Sequence, residues 1–220
     1  MSPKVGTIRD TDGTETRRMA MVSAITAQRI WTYADLEELP DDDNIYDIVG
    51  GEIVVRNAPP MDHGDALTDL IQLVVMAQMA GYGRMYTTTT PVALDYAQRG
   101  MASIDVPHPD ILFVREDRLN FRGPRGFQGV PDLIVEVLSR STRREHRAGG
   151  RLWQAYERNG VPYYWLVDTR NRTIRQYTLI GEPYQRGHYG EPVTLREGDT
   201  LTSVLFPTVS IPVAQVFRYV

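Results

Sequence analysis

The stretch GVPDLIVEVLS, residues 129–139, decides how the rest of the chain is read. From Leu133 to Leu138 it is a nearly continuous apolar run, the pattern of a strand covered on both faces. Gly129, Val130 and Pro131 mark a turn ahead of it. One residue breaks the run: Glu136, between Val135 and Val137. An unpaired buried carboxylate costs several kcal/mol, so this position requires a partner, either an arginine or a bound cation.

Working outward, the spacing predicts a helix from Thr142 to Asn159, closed by Gly160 and weakened in its middle by Gly149-Gly150. YYWLVD (163–168) and TIRQYTLI (173–180) then form a hairpin-like pair, with Tyr163, Tyr164 and Trp165 as packing residues. Upstream, 116–130 is Arg-, Gly- and Pro-rich and reads as a loop. PDILFV (109–114) reads as a strand, as do 84–89 and 91–95. Leu67, Leu70, Ile71, Val74, Val75 and Met79 share one face of a helix that starts near His63 and stops at Gly81. YDIVGGEIVV (46–55) is two short strands around Gly50-Gly51, and Thr32 caps a short helix that ends near Pro40. Beyond 180 the chain alternates short strands with turns. The order predicts an α/β (α+β) fold with a central mixed β-sheet flanked by helices.

A chain of 220 residues, 42% hydrophobic and 24% charged, fits one domain with a real core and excludes wholesale disorder. Residues 1–27 read as a disordered leader, with Met19 and Met21 as alternative starts, and 28–220 as the domain. The lack of cysteine removes thiolate chemistry and thiolate-held zinc, and it suits a reducing cytoplasm. No apolar run approaches the roughly 20 residues that span a bilayer. Net charge is −4, but residues 115–175 carry 13 arginines against 7 acidic residues. A basic segment beside an acidic body suits a site that approaches phosphates, or is simply a solvated helix face.

A second carboxylate, Asp110, heads the apolar strand after Pro109. Two adjacent strands that each present a carboxylate at a sheet end make an oxygen-rich site suited to Mg²⁺ or Mn²⁺; salt bridges or caps are the alternative. Asp132 competes with Asp110, because it also follows a proline and shares strand parity with Glu136.

The ordered motifs YDIVGGEIV, PP-x-x-H, PDILFV, GVPDLIVEVLS-x-ST and Y-x-x-x-GVPYYWLVD resemble the Uma-type "putative restriction endonucleases" of the PD-(D/E)xK nuclease-like superfamily, from about Tyr33 to Tyr177. The resemblance implies a restriction-endonuclease-like core and a Mg²⁺-dependent endonuclease acting on DNA. It selects Asp110 and Glu136 as metal and catalytic carboxylates, with Glu52 and the Val137 carbonyl as further ligands and His63 as an accessory residue. Arg143, Arg144 and Arg147 are the candidate DNA contacts, and Ser139 and Ser141 either touch phosphate or cap the next helix. Cutting both strands would favour a homodimer, and no protein partner is implied.

The superfamily's lysine is missing. The chain's one lysine is Lys4; the superfamily's usual position is Leu138 here, and the position to which this family shifts it is Leu152. Arg147 and Arg151 are the nearby cations, and Arg151 is the candidate substitute, although a guanidinium cannot act as a base. His146 reads as a surface residue. The alternative function is a catalytically weakened nuclease fold that binds nucleic acid or a protein. A purely structural domain would instead require arginines to pair with both carboxylates.

Overall fold

The computed structural model describes residues 29–42, 44–56, 59–139 and 143–220. The expected leader, Ser141 and Thr142 lie outside the described residues. After a 3₁₀ turn at Tyr33–Glu38, in which Thr32 and Asp35 cap each other reciprocally, come β1 (Ile45–Val49), β2 (Glu52–Arg56), α1 (Met61–Met79) and β3 (Gly83–Thr87). Next are β4 (Asp105–Val106), β5 (Ile111–Arg115), the small hairpin β6 (Arg122–Gly123) and β7 (Gly126–Phe127), and β8 (Leu133–Val137). Helices α2 (Arg143–His146) and α3 (Arg151–Asn159) lead to β9 (Tyr163–Asp168) and β10 (Thr173–Ile180). Short strands β11 (His188–Tyr189), β12 (Val193–Leu195), β13 (Thr200–Leu201) and β14 (Ile211–Pro212) complete the chain before a helical turn at Val213–Val216.

The main sheet runs β11-β10-β9-β8-β5-β3, with β12 also on β10. Only β8 and β9 pair in parallel there, so the sheet is mixed. A parallel pair needs a crossover, which α2 and α3 provide. Leu133, Val135 and Val137 pack with Leu70, Leu73 and Val74 of α1 on one face. Ile134 and Leu138 pack with Leu152 and Tyr156 of α3 on the other. Cover on both faces is why this strand reads as an unbroken apolar run, and strand parity puts Glu136 on the α3 side. Each fully buried Leu or Val on these faces stabilises by roughly 1.5–3 kcal/mol.

A second sheet, β2-β1-β4, stands beside the first. Val49 pairs with Glu52 across a two-residue turn, and Gly50 (φ 62°) and Gly51 (φ 80°) supply the positive φ that such a turn demands. Among the described residues no helix is long and apolar enough to cross a membrane.

Two expectations change. The helix expected at 142–159 is two helices, broken at Gly149-Gly150. Gly149 takes φ 80°, and a Cβ on Gly150 would run into the carbonyl oxygens of Arg144 and Glu145, so a continuous helix gives way to a tight turn. The strand expected at 91–95 is a single bridge from Val92 to Phe127. Its amides instead bond the scattered carbonyls of Pro107, Phe127 and Asp105.

Candidate active site

Ile111 pairs with Val135 across the antiparallel β5–β8 ladder, so Asp110 and Glu136 follow as the next neighbours at the strand ends. Both are buried, at 3% and 1% exposure. The Asp110 N–H points to Glu136 Oε2 at 3.4 Å, and the Val137 N–H donates to Asp110 Oδ2 at 2.8 Å. From α3 the Tyr156 hydroxyl donates to Glu136 Oε1 at 2.6 Å. His63, in the first turn of α1, brings Nε2 to 3.4 Å from Asp110 Oδ2. The carboxylates chosen from sequence are therefore brought together, with His63 beside them.

Asp132 is not among them. Arg115 Nε at 3.1 Å, Arg118 NH1 at 2.9 Å and the Tyr184 hydroxyl at 2.6 Å occupy its oxygens. The arginine pairing that marks a structural role belongs to this residue. Among the described residues Asp110 has one arginine ion-paired with it, at 3.9 Å, and no bidentate clamp.

That arginine is Arg56, at the end of β2, which sequence reasoning missed along with Asp47. Asp47 is fully buried in β1, where Arg56 Nε lies 2.6 Å from Oδ2 and NH2 donates to Oδ1 at 3.2 Å. The His108 N–H donates to the same Asp47 Oδ1 at 2.7 Å, and Arg56 NH2 returns a bond to the His108 carbonyl. Burial pushes the Asp47 carboxyl upward, but Arg56 and His108 outweigh it and hold it below its usual range. Burial likewise pulls the Arg56 guanidinium down, and Asp47, Glu136 and Asp110 together hold it above its ordinary value.

His146, a surface residue on the sequence reading, is instead buried. Its Nε2 lies 3.8 Å from Glu136 Oε2 and its Nδ1 lies 3.1 Å from the Tyr164 hydroxyl. Burial, then Arg56, lowers its pKa to about 4, so the ring is neutral near pH 7. Burial and then the neighbouring Asp110 push Glu136 well above the ordinary carboxylate range, against the opposing pull of Arg56 and Tyr156.

Glu52 and Arg151 are placed elsewhere. Glu52 is 75% exposed and meets Arg151 NH1 at 3.4 Å, while Arg151 Nε reaches Glu145 at 3.0 Å. Among the described residues no ion pair or hydrogen bond joins either one to Asp110 or Glu136. Four residues of strand, about 13 Å, separate Glu52 from Arg56. Arg151 sits about 140° around α3 from Tyr156, whereas Leu152, at i−4 from that tyrosine, shares its face and is buried. Of the arginines expected on DNA, Arg143 is tied to Asp168 at 2.7 Å, while Arg144 and Arg147 are exposed. Ser139 is buried, and its carbonyl accepts the Arg143 N–H.

Among the described residues no three His, Asp or Glu side chains meet as an ion cage. Mg²⁺ commonly asks less, one or two carboxylates and several waters. The Asp110–Glu136 pair meets that requirement, and its buried repulsion is what a divalent cation relieves. His63 Nδ1, buried without a hydrogen-bond partner among the described residues, is one more polar atom beside the pair.

The mixed sheet with its flanking helices is a nuclease-type fold. It matches the crystal structure of a "putative nuclease belonging to DUF820" from Anabaena variabilis with a TM-score of 0.61 and 16% identity, covering 85% of this chain and 97% of that one. The chain belongs to the Uma2 family, described as "Putative restriction endonuclease", whose match spans residues 33–214. None of the curated proteins matches it.

Proposed function

We propose that this protein is a divalent-metal-dependent endonuclease of the cytoplasm that hydrolyses phosphodiester bonds in DNA. The observation that carries the reading is the buried, mutually repelling Asp110–Glu136 pair at one end of a nuclease-family sheet. These two carboxylates would hold Mg²⁺ or Mn²⁺, with the Val137 carbonyl as a further candidate ligand. A bound ion supplies a water of lowered pKa and neutralises charge on the pentacovalent transition state.

The chain's own groups do the positioning. The Val137 N–H and the Tyr156 hydroxyl each fix one carboxylate oxygen, so both carboxylates are oriented before any ligand arrives. His63 flanks Asp110, and neutral His146 flanks Glu136. Arg144 and Arg147, exposed on and just after α2, would track the phosphate backbone, and cutting both strands would call for a homodimer.

The test is nicking of supercoiled plasmid with Mg²⁺ or Mn²⁺ present. Asp110→Asn and Glu136→Gln should each reduce the rate at least hundredfold, while melting still shows a folded protein. A folded wild type that binds Mn²⁺ yet cuts neither DNA nor RNA would sink the reading. Buried, apolar Leu152 at a position where the family would place its lysine favours a second reading, a nuclease fold that binds nucleic acid without cutting it. Salt-sensitive DNA binding with no metal-dependent cleavage would select that one.

A further inference from the structure

Three carboxylates, Asp47, Asp110 and Glu136, are buried close to the guanidinium of Arg56, which is only 6% exposed. We infer that Arg56 is a cation of this site and does the charge-stabilising work that the superfamily assigns to its lysine. The inference rests on the nuclease reading above and deepens it.

Placement is the first argument. Leu152 removes the charge from the α3 face that carries Tyr156, and Arg151 points to the surface toward Glu52 and Glu145. Arg56 enters from β2 instead and brings NH1 to 3.9 Å from Asp110 Oδ1. Among the described residues it is the arginine ion-paired with Asp110.

Preorganisation is the second. Nε and NH2 are held by Asp47 and by the His108 carbonyl, so the guanidinium plane is fixed by contacts outside the metal-candidate pair. NH1, 3.9 Å from Asp110 Oδ1, lies beyond hydrogen-bond length from that carboxylate. A preset positive group in a dry site stabilises developing anionic charge far better than a solvated one. It cannot take a proton from water, so the role left to it is electrostatic.

Electrostatics separates this role from a merely structural one. Removing the guanidinium takes positive charge away from Asp110 and Glu136, so divalent-ion affinity should rise while cutting falls. A structural role predicts that both fall together. The experiment compares wild type, Arg56→Lys, Arg56→Met and Arg56→Met/Leu152→Lys. It reads Mn²⁺ affinity by calorimetry, melting temperature without metal, and plasmid nicking.

Arg56→Met should bind Mn²⁺ several-fold more tightly and nick at least hundredfold more slowly. Arg56→Lys should keep most of the activity, and the double variant should regain at least tenfold over Arg56→Met. If Asp47, stripped of its counter-charge, prevents Arg56→Met from folding, Asp47→Asn/Arg56→Met removes both buried charges and should show the same loss of nicking. Nicking by a folded Arg56→Met equal to wild type overturns this inference and leaves the nuclease reading standing. Parallel loss of Mn²⁺ affinity and nicking also overturns it, in favour of a structural role. A wild type that cuts no nucleic acid overturns the nuclease reading and this inference together.

Discussion

Asp168 closes β9 with both oxygens engaged: Arg143 donates at 2.7 and 3.0 Å, and the Asn171 backbone and side chain at 3.2 and 2.8 Å. Burial raises this carboxyl, but Arg143 and Asn171 outweigh it and depress it. A carboxylate depressed in the folded state stabilises above its unfolded pKa, near 3.9, and that stability is lost as pH falls through the folded value. Arg143→Met should therefore lower stability at pH 7 by roughly 1–3 kcal/mol. The gap to wild type should narrow as pH falls below about 3.9, where Asp168 of the unfolded chain takes up a proton, and close below the depressed value of the folded state. Urea unfolding at pH 7 and pH 3 checks this, and an equal gap at both would deny the ion pair its role. Other residues show how far single positions are legible. Glu136 is readable because a charge interrupts an apolar strand, and the same rule applied to Ile45–Val49 marks Asp47. Arg56 is hidden because only the β1–β2 register brings it onto Asp47. His146 is hidden because its partners, Glu136 and Tyr164, come from other elements, the strands β8 and β9.

At the scale of elements, glycines separate what is legible from what is not. The Gly50-Gly51 hairpin and the β9–β10 pair follow from turn chemistry and alternation, and both form where expected. The 91–95 segment carries a short apolar run like a strand, but the carbonyls its amides find belong to two separate segments, 105–107 and Phe127, which no local pattern encodes. Gly149-Gly150 is intermediate: its helix-weakening effect is predictable, the tight turn it forms between α2 and α3 is not. Gly150→Ala should destabilise by about 1–3 kcal/mol, because the new methyl meets the backbone carbonyls of Arg144 and Glu145. It should also disturb the His146–Glu136 contact. Gly64→Ala, inside α1 with open space around the new Cβ, should instead stabilise by about 0.5–1 kcal/mol. Thermal melts of both variants test the contrast, and a shift in the same direction for both would show that helix propensity alone governs these positions.

For the molecule as a whole, uneven charge matters more than its sum. The net charge is −4, yet the 115–175 segment with its 13 arginines includes the crossover that passes over the carboxylate site. Much of that positive charge is already spent within the fold: Arg115 and Arg118 on Asp132, Arg143 on Asp168, Arg151 on Glu145 and Glu52, and Arg158 on Asp105. Arg144 and Arg147 are exposed, and they flank His146, whose ring lies against Glu136. In the proposed function these two are the candidate contacts to a DNA backbone. Every phosphate that a side chain neutralises steepens the fall of log K with log salt by about 0.9. Arg144→Ala/Arg147→Ala should therefore flatten that slope by about 1.8 and weaken binding uniformly across duplex sequences. The surface location of both residues predicts a melting temperature close to wild type. Fluorescence anisotropy in chelator, over a salt range of about 50 to 200 mM, measures the slope without cleavage. An unchanged slope would reduce the two arginines to a solvated helix face and send the search for the DNA path to another side of the molecule.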